Sequence, residues 1–452
     1  MSSSGVIAPS GVEQVIGPEE LFFSTTDRRG VIRSGNSVFV RVSGFSLAEL
    51  TGSPHNIVRH PDMPAGVFRL IWSRLLAGRP AGAYVRNLTK DGGHYWVFAT
   101  ITPSGDGFLS VRMAPRARLF ETVKRVYADV LEAERDAARR EGTNRREVAS
   151  AGLERLERNL GELGFGSYDD FLTEALTTEV AARGQSAFTR YARPGATGPI
   201  GEVLAGAEKL KAALADLVQQ LEGHRRFGDR LMHAATQVLV VARRLDHTVA
   251  AARTASATVA QSVPVLHNVA RAMADPTRTA VTALERLEPR LAALRSDVMD
   301  LRFRIALASV HTDMVAAFAA EVVDGHAPHT SLEEVPLLCD VMRESTLEMS
   351  ARAQQVHRAL REVASEVAAA GEGLEEFRRF LGQWRLLVLR HGAEDALSAH
   401  LASIDDYSAA SWDGIAMLNA LAGEFGASAM PFDFAALEDQ VAAIRAKAVI
   451  PD

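Results

Sequence analysis

Over its first quarter the chain sets apolar and polar positions in short alternating runs, and beyond that the apolar positions recur at helical spacing. Leu21-Phe22-Phe23-Ser24-Thr25 and Val31-Ile32-Arg33-Ser34 read as two strands about a turn at Asp27-Arg28-Arg29-Gly30, a hairpin. Asn36 stands where it can cap a short helix over residues 37–43, which Gly44 ends. Ser46, with Glu49 three residues on, forms a capping box for a second brief helix ending at Leu50. Pro64 to Leu76 has the spacing of an amphipathic helix with proline near its first turn. Three further strand patterns follow, Ala83–Leu88, His94–Thr102 and Phe108–Met113, the first two joined through Asp91-Gly92-Gly93. The expected fold class is α+β here: a five-stranded antiparallel sheet with short helices.

From Leu119 onward the strand signal fades. Segments rich in Ala, Leu, Glu and Arg recur between breaks at Gly142, Gly161–Gly166, Pro194–Pro199, Pro276, Gly325–Pro328, Gly371–Gly373 and Pro431. They predict about eight helices, the longest near 225–270, 277–323 and 332–370. Arg193-Pro194-Gly195-Ala196-Thr197-Gly198-Pro199 is the expected hinge, because proline and glycine cannot continue a helix there. Helices of this length usually bury their apolar stripes against partners, so an elongated bundle or a coiled-coil homodimer is expected.

Composition sharpens the division. Residues 1–118 hold 13 Lys and Arg against 8 Asp and Glu, with 11 of the 29 aromatic residues, whereas the remainder holds 37 against 48. A basic, aromatic head precedes an acidic, alanine-rich body. A hydrophobic share of 47% argues against bulk disorder. The single Cys339 excludes an internal disulfide framework or thiolate metal cluster and fits a reducing cytoplasm. The first residues lack the basic start and apolar core of a signal peptide, and no run of about 18 uninterrupted apolar residues is present. A cytoplasmic protein without a membrane span is expected.

The candidate chemistry sits in the head. Ser24-Thr25-Thr26-Asp27, Asn36, Val42-Ser43-Gly44-Phe45, the block Pro54-His55-Asn56-Ile57-Val58-Arg59-His60-Pro61-Asp62-Met63-Pro64, and Gly92-Gly93-His94-Tyr95-Trp96-Val97 occur in this order. Together they resemble the FAD-binding PAS sensor domains of bacterial aerotaxis receptors, over residues about 20–115, a quarter of the chain. The resemblance implies a non-covalent FAD whose redox state reports oxygen or respiratory status. The residue chemistry is compatible with it. Arg59 and His60 offer donors to phosphate or flavin carbonyl oxygens. Asn36 and Asn87 each carry a donor and an acceptor for the polar edge of the ring system, and Phe68, Trp72 and Trp96 can supply an apolar ring pocket. Asp62 either joins this set or caps the following helix. One departure stands out: where the family has a tryptophan, this chain has Ala81 in Gly78-Arg79-Pro80-Ala81, which implies a smaller or more open pocket wall.

The body offers no catalytic signature. Leu301–Val310 faintly resembles the Leu/Ala run at the tip of methyl-accepting signalling domains, but Asp313-Met314-Val315-Ala316-Ala317-Phe318 stands where their kinase-contacting cluster belongs. No phosphoacceptor histidine precedes a Gly-rich nucleotide loop. The arginine pairs are too dispersed for a nucleic-acid footprint. The expected organisation is a flexible N-terminus (1–19), a PAS sensor (20–115), linker and signalling helices (116–192) and a helical output and dimerisation region (200–452). Such a chain is not an enzyme: it senses redox or oxygen status through a flavin, passes the change into the helix near Ala117 and acts on a protein partner. A PAS scaffold or dimerisation protein without cofactor is the alternative.

Overall fold

The computed structural model describes residues 7–258 and 260–395, a subset of positions between 397 and 423, and residues 434–448. The head contains β1 (Leu21–Asp27), β2 (Ile32–Gly35), α1 (Ser37–Ser43), α2 (Leu47–Leu50), a 3-10 turn at His55–Val58, α3 (Ala65–Leu76), β3 (Ala81–Leu88), β4 (His94–Ser104) and β5 (Gly107–Met113). The strands form one antiparallel sheet in the order β2-β1-β5-β4-β3. Of the residues expected as a flexible N-terminus, Ser10 to Gln14 run beside the start of β4. There Ser10 N–H donates to Gly92, His94 N–H to Val12 and Gln14 N–H to His94.

Local chemistry explains the short helices. The Asn36 carboxamide oxygen accepts from Phe39 N–H at the start of α1, and Gly44, at φ 73°, ends it in the left-handed region that glycine tolerates. Ser46 and Glu49 form the capping box of α2.

The helical region comprises α4 (Leu119–Ala138), α5 (Arg145–Glu162), α6 (Tyr168–Thr189), α7 (Gly198–Thr258), α8 (Pro264–Ala272), α9 (Ala274–Val323), α10 (Val335–Arg390) and α11 (Phe434–Ala448). The break expected at 193–199 separates α6 from α7. The break expected at Gly371–Gly373 does not occur, and α10 runs through it. A Cβ on Gly373 would lie 2.7 Å from the Pro276 carbonyl oxygen, so this glycine permits a close helix approach instead of ending a helix.

The chain divides into two compact units, Met1–Val218 with Met299–Met349 and Asp433–Asp452, and Gln219–Val298 with Ser350–Phe432. In the second unit the apolar stripes of α7 (Leu231, Val238, Leu245, Val249), α9 (Leu284, Leu287, Leu291) and α10 (Val356, Val363, Val367) are all buried within the chain. The stripes that suggested a homodimer therefore already have intramolecular cover. The α8–α9 segment contains a window long and apolar enough to cross a membrane, but 94% of it is buried inside the protein, as in a core helix.

In the first unit the sheet has both faces covered. On the outer face Tyr84 and Phe98, cross-strand partners, meet each other edge-on, and Tyr84 stacks on Phe120 of α4 at 5.3 Å. Phe23 of β1 meets Phe318 of α9 edge-on at 5.1 Å. Ser37 of α1 donates to Glu321 (2.8 Å), so the end of α9 is seated on the head.

Candidate functional site

The inner face of the sheet floors a cavity of about 460 Å³. Side chains alternate across a strand, and the floor follows that rule: Val85 and Asn87 from β3, Ala99 and Ile101 from β4, Phe108, Ser110 and Arg112 from β5, and Thr26 from β1. Phe68, Ile71, Trp72 and Leu75 of α3 form one wall, and the Pro54–Arg59 turn forms another. Arg29, Pro54, Asn56 and Arg59 are the exposed lining residues, which places the mouth there and puts two guanidinium groups at it.

Four of the eight residues singled out from the sequence line this cavity: Arg59, Phe68, Trp72 and Asn87. The Arg59 guanidinium lies 4.2 Å from the Phe68 ring centroid and donates to the Met63 carbonyl (3.0 Å). Trp72 meets Phe108 edge-on at 5.7 Å. Gly30, at φ 78°, passes close under Trp72, where a Cβ would lie 3.1 Å from the indole.

The other four lie elsewhere. Asn36 is a structural clasp: its Oδ1 accepts from Phe23 N–H and Phe39 N–H, and its Nδ2 donates to the Leu21 carbonyl. His60 is buried outside the lining, with Nδ1 accepting from Asp62 N–H (3.0 Å) and its ring edge-on to His94. Burial, Arg86 and His94 push its pKa down to about 4, against the pull of Asp62. Asp62 is half exposed and faces Arg86 and Arg135 at 3.5 and 3.8 Å. It does not cap α3, whose N-cap position is Pro64 without a side-chain bond. Trp96 projects from the outer face, against Phe120 and Tyr127 of α4, while its neighbour Tyr95 points inward. Ala81 is buried and lies outside the lining, so the small residue there does not open the cavity.

The residues that sequence reasoning missed are His55 and Arg112. Arg112 is 5% exposed at the inner wall, and its Nη2 donates to Ser24 Oγ (3.1 Å) and His55 Nε2 (2.7 Å). Burial pushes its pKa down to about 10. His55 stacks on Phe39 at 5.8 Å, and burial with the neighbouring Arg112 pushes its pKa down to about 3. It is a neutral acceptor on Nε2, which puts its proton on Nδ1.

A second cluster ties the cavity wall to the helices. Both Glu134 oxygens, from α4, accept backbone N–H groups at the first turn of α3: Ala65 at 3.0 Å and Gly66 at 2.8 Å. A carboxylate there also complements the positive end of the helix. Gly66 packs directly on the Gly152–Leu153 backbone of α5, with no room for a Cβ. Below the sheet, Glu179 of α6 is buried and accepts from Tyr84 Oη, Arg116 N–H and Ala117 N–H. Burial pushes its pKa up despite these donors.

Residues 33–108 match the PAS fold family. The N-terminal module is a PAS domain. Within it, 96 residues are 47% identical to the aerotaxis receptor of Escherichia coli (strain K12), a match covering 21% of this chain and 19% of that protein. Eighty residues are 34% identical to the nitrogen fixation regulatory protein of Klebsiella pneumoniae, 18% of this chain and 16% of that one. The chain thus spans less than a fifth of the length of these curated relatives, all of it in the PAS domain. A solved PAS domain from Colwellia psychrerythraea is 24% identical, covers 21% of this chain and 85% of its own, and superposes with a TM-score of 0.18.

Proposed function

We propose that the PAS domain holds a flavin, FAD by preference, and that the chain relays its redox state into the helical region toward a protein partner. The observation that carries the reading is the cavity. It combines an apolar wall with polar groups on the opposite side and two guanidinium groups at its mouth. The donor set fits the group. Asn87 offers a carboxamide to the polar edge of a planar ring, Phe68 and Trp72 offer apolar faces, and Arg29 and Arg59 suit the phosphates.

A bound flavin supplies reversible electron uptake; the chain's own residues do the rest. Arg112 and Asn87 hold the inner edge, and α3 excludes water on one side. Any shift of α3 is felt by Glu134, which grips its first turn, and hence by α4. Any shift of the sheet reaches α4 through Tyr84 and Phe120. Ligand binding can move such an equilibrium only through differential contacts, and α3 and the sheet are the elements that make them.

The test is retention of colour. Full-length protein mixed with excess FAD and then desalted is expected to keep yellow flavin absorbance at about one flavin per chain. A colourless product would refute the reading and leave the cofactor-free scaffold in its place.

A further inference from the structure

Arg112 presents an imbalance that the flavin reading leaves unused. Its guanidinium is buried at the inner wall of the cavity, and its named partners, Ser24 and His55, are both neutral. Nη1 is buried with no hydrogen-bond partner, and among the described residues no carboxylate pairs with the group. A buried cation without a counter-charge is costly, and the cost is removed when an anion arrives. His55 cannot take up the proton that would make it a competing cation, because Arg112 itself opposes this. The neighbouring wall, Phe39 and Phe108, is apolar, so the field of the guanidinium is little screened.

We propose that Arg112, held in place by His55 and Ser24, is a charge-selective subsite that favours a planar aromatic ligand carrying negative charge on its innermost edge. The proposal rests on the flavin reading and deepens it: the cavity discriminates between neutral and anionic ring forms of the same ligand. Oxidised FAD has a neutral ring, whereas fully reduced FAD above neutral pH has an anionic one. Both share the same pyrophosphate, so their affinity ratio isolates the charge on the ring.

The experiment is an anaerobic binding titration of the full chain with oxidised FAD and with dithionite-reduced FAD at mildly alkaline pH. A charge-assisted contact at Arg112 is expected to make the reduced form bind at least about tenfold tighter. Arg112→Gln, checked for folding by circular dichroism, is expected to bring the ratio close to one. Arg112→Lys, which keeps the charge, is expected to retain most of the preference. Equal affinities in the wild-type chain, or an undiminished ratio in folded Arg112→Gln, would overturn the proposal while leaving the flavin reading standing. Should the Gln variant fail to fold, a ratio of one in Arg112→Lys would overturn it equally. Failure of the wild-type chain to bind either form would remove the flavin reading and this subsite with it.

Discussion

Phe23→Ala in the full chain is expected to cost about 3–5 kcal/mol of stability, although residue 23 touches neither the cavity nor a catalytic group. Phe23 is fully buried on the outer face of β1 and meets Phe318, itself 2% exposed, edge-on. Its removal leaves a void between sheet and helix that neither element can close without breaking its own hydrogen bonds. Phe318→Ala is expected to be comparably costly. Because the rings touch, the double variant should fall short of the sum by about 0.5–1.5 kcal/mol. Urea unfolding of the three variants checks this. A cost below about 1 kcal/mol for Phe23→Ala, or strict additivity, would mean that α9 is not part of the fold of the PAS domain.

Acid is expected to weaken the folded chain well above the pH at which ordinary carboxylates titrate. His55, His60 and His311 are held neutral by burial, with pKa values pushed down to about 3, 4 and 4. The unfolded chain takes up these protons near the ordinary histidine value and the folded chain does not. Stability is therefore complete above that value, is lost as pH falls through it, and stops falling only at the depressed folded values. For His60, at about 1.4 kcal/mol per pH unit, the loss between about pH 7 and pH 5 is roughly 2 kcal/mol. Glu179, Glu321 and Glu334, whose pKa values are raised by burial, act in the opposite direction and offset part of it. The comparison that isolates the effect is His60→Asn, whose carboxamide oxygen can still accept from Asp62 N–H. Its stability profile should be flatter than the wild-type one across that window. Parallel profiles would show that His60 is not held neutral.

The sheet and its short helices were legible because they depend on local signals: period-two runs, Asn36, the Ser46–Glu49 box and Gly44. The cavity was legible in part. Arg59, Phe68, Trp72 and Asn87 lie where the motif suggested, but which face of β4 looks inward was not readable. That strand is covered on both sides, so alternation does not distinguish Tyr95 from Trp96. Arg112 escaped notice because a lone arginine in a strand usually marks a solvated face. Only the register of β5 beside β1 turns it toward Ser24 and His55. Asn36 and His60 carried the right chemistry for a ligand, but backbone groups close by claimed it first. In the body, the apolar stripes announced helices without saying what covers them, and the cover comes from the same chain.

The central claim is that a redox change in the cavity is passed through α3 to α4. Hydrogen–deuterium exchange on FAD-loaded full-length protein, oxidised against reduced, tests it most directly. Exchange is expected to differ between the two states at the first turn of α3, around Ala65 and Gly66, and along α4, while the buried stripe Leu231–Val249 stays unchanged. Identical exchange in both states across 65–76 and 119–138, with flavin bound in each, would contradict it.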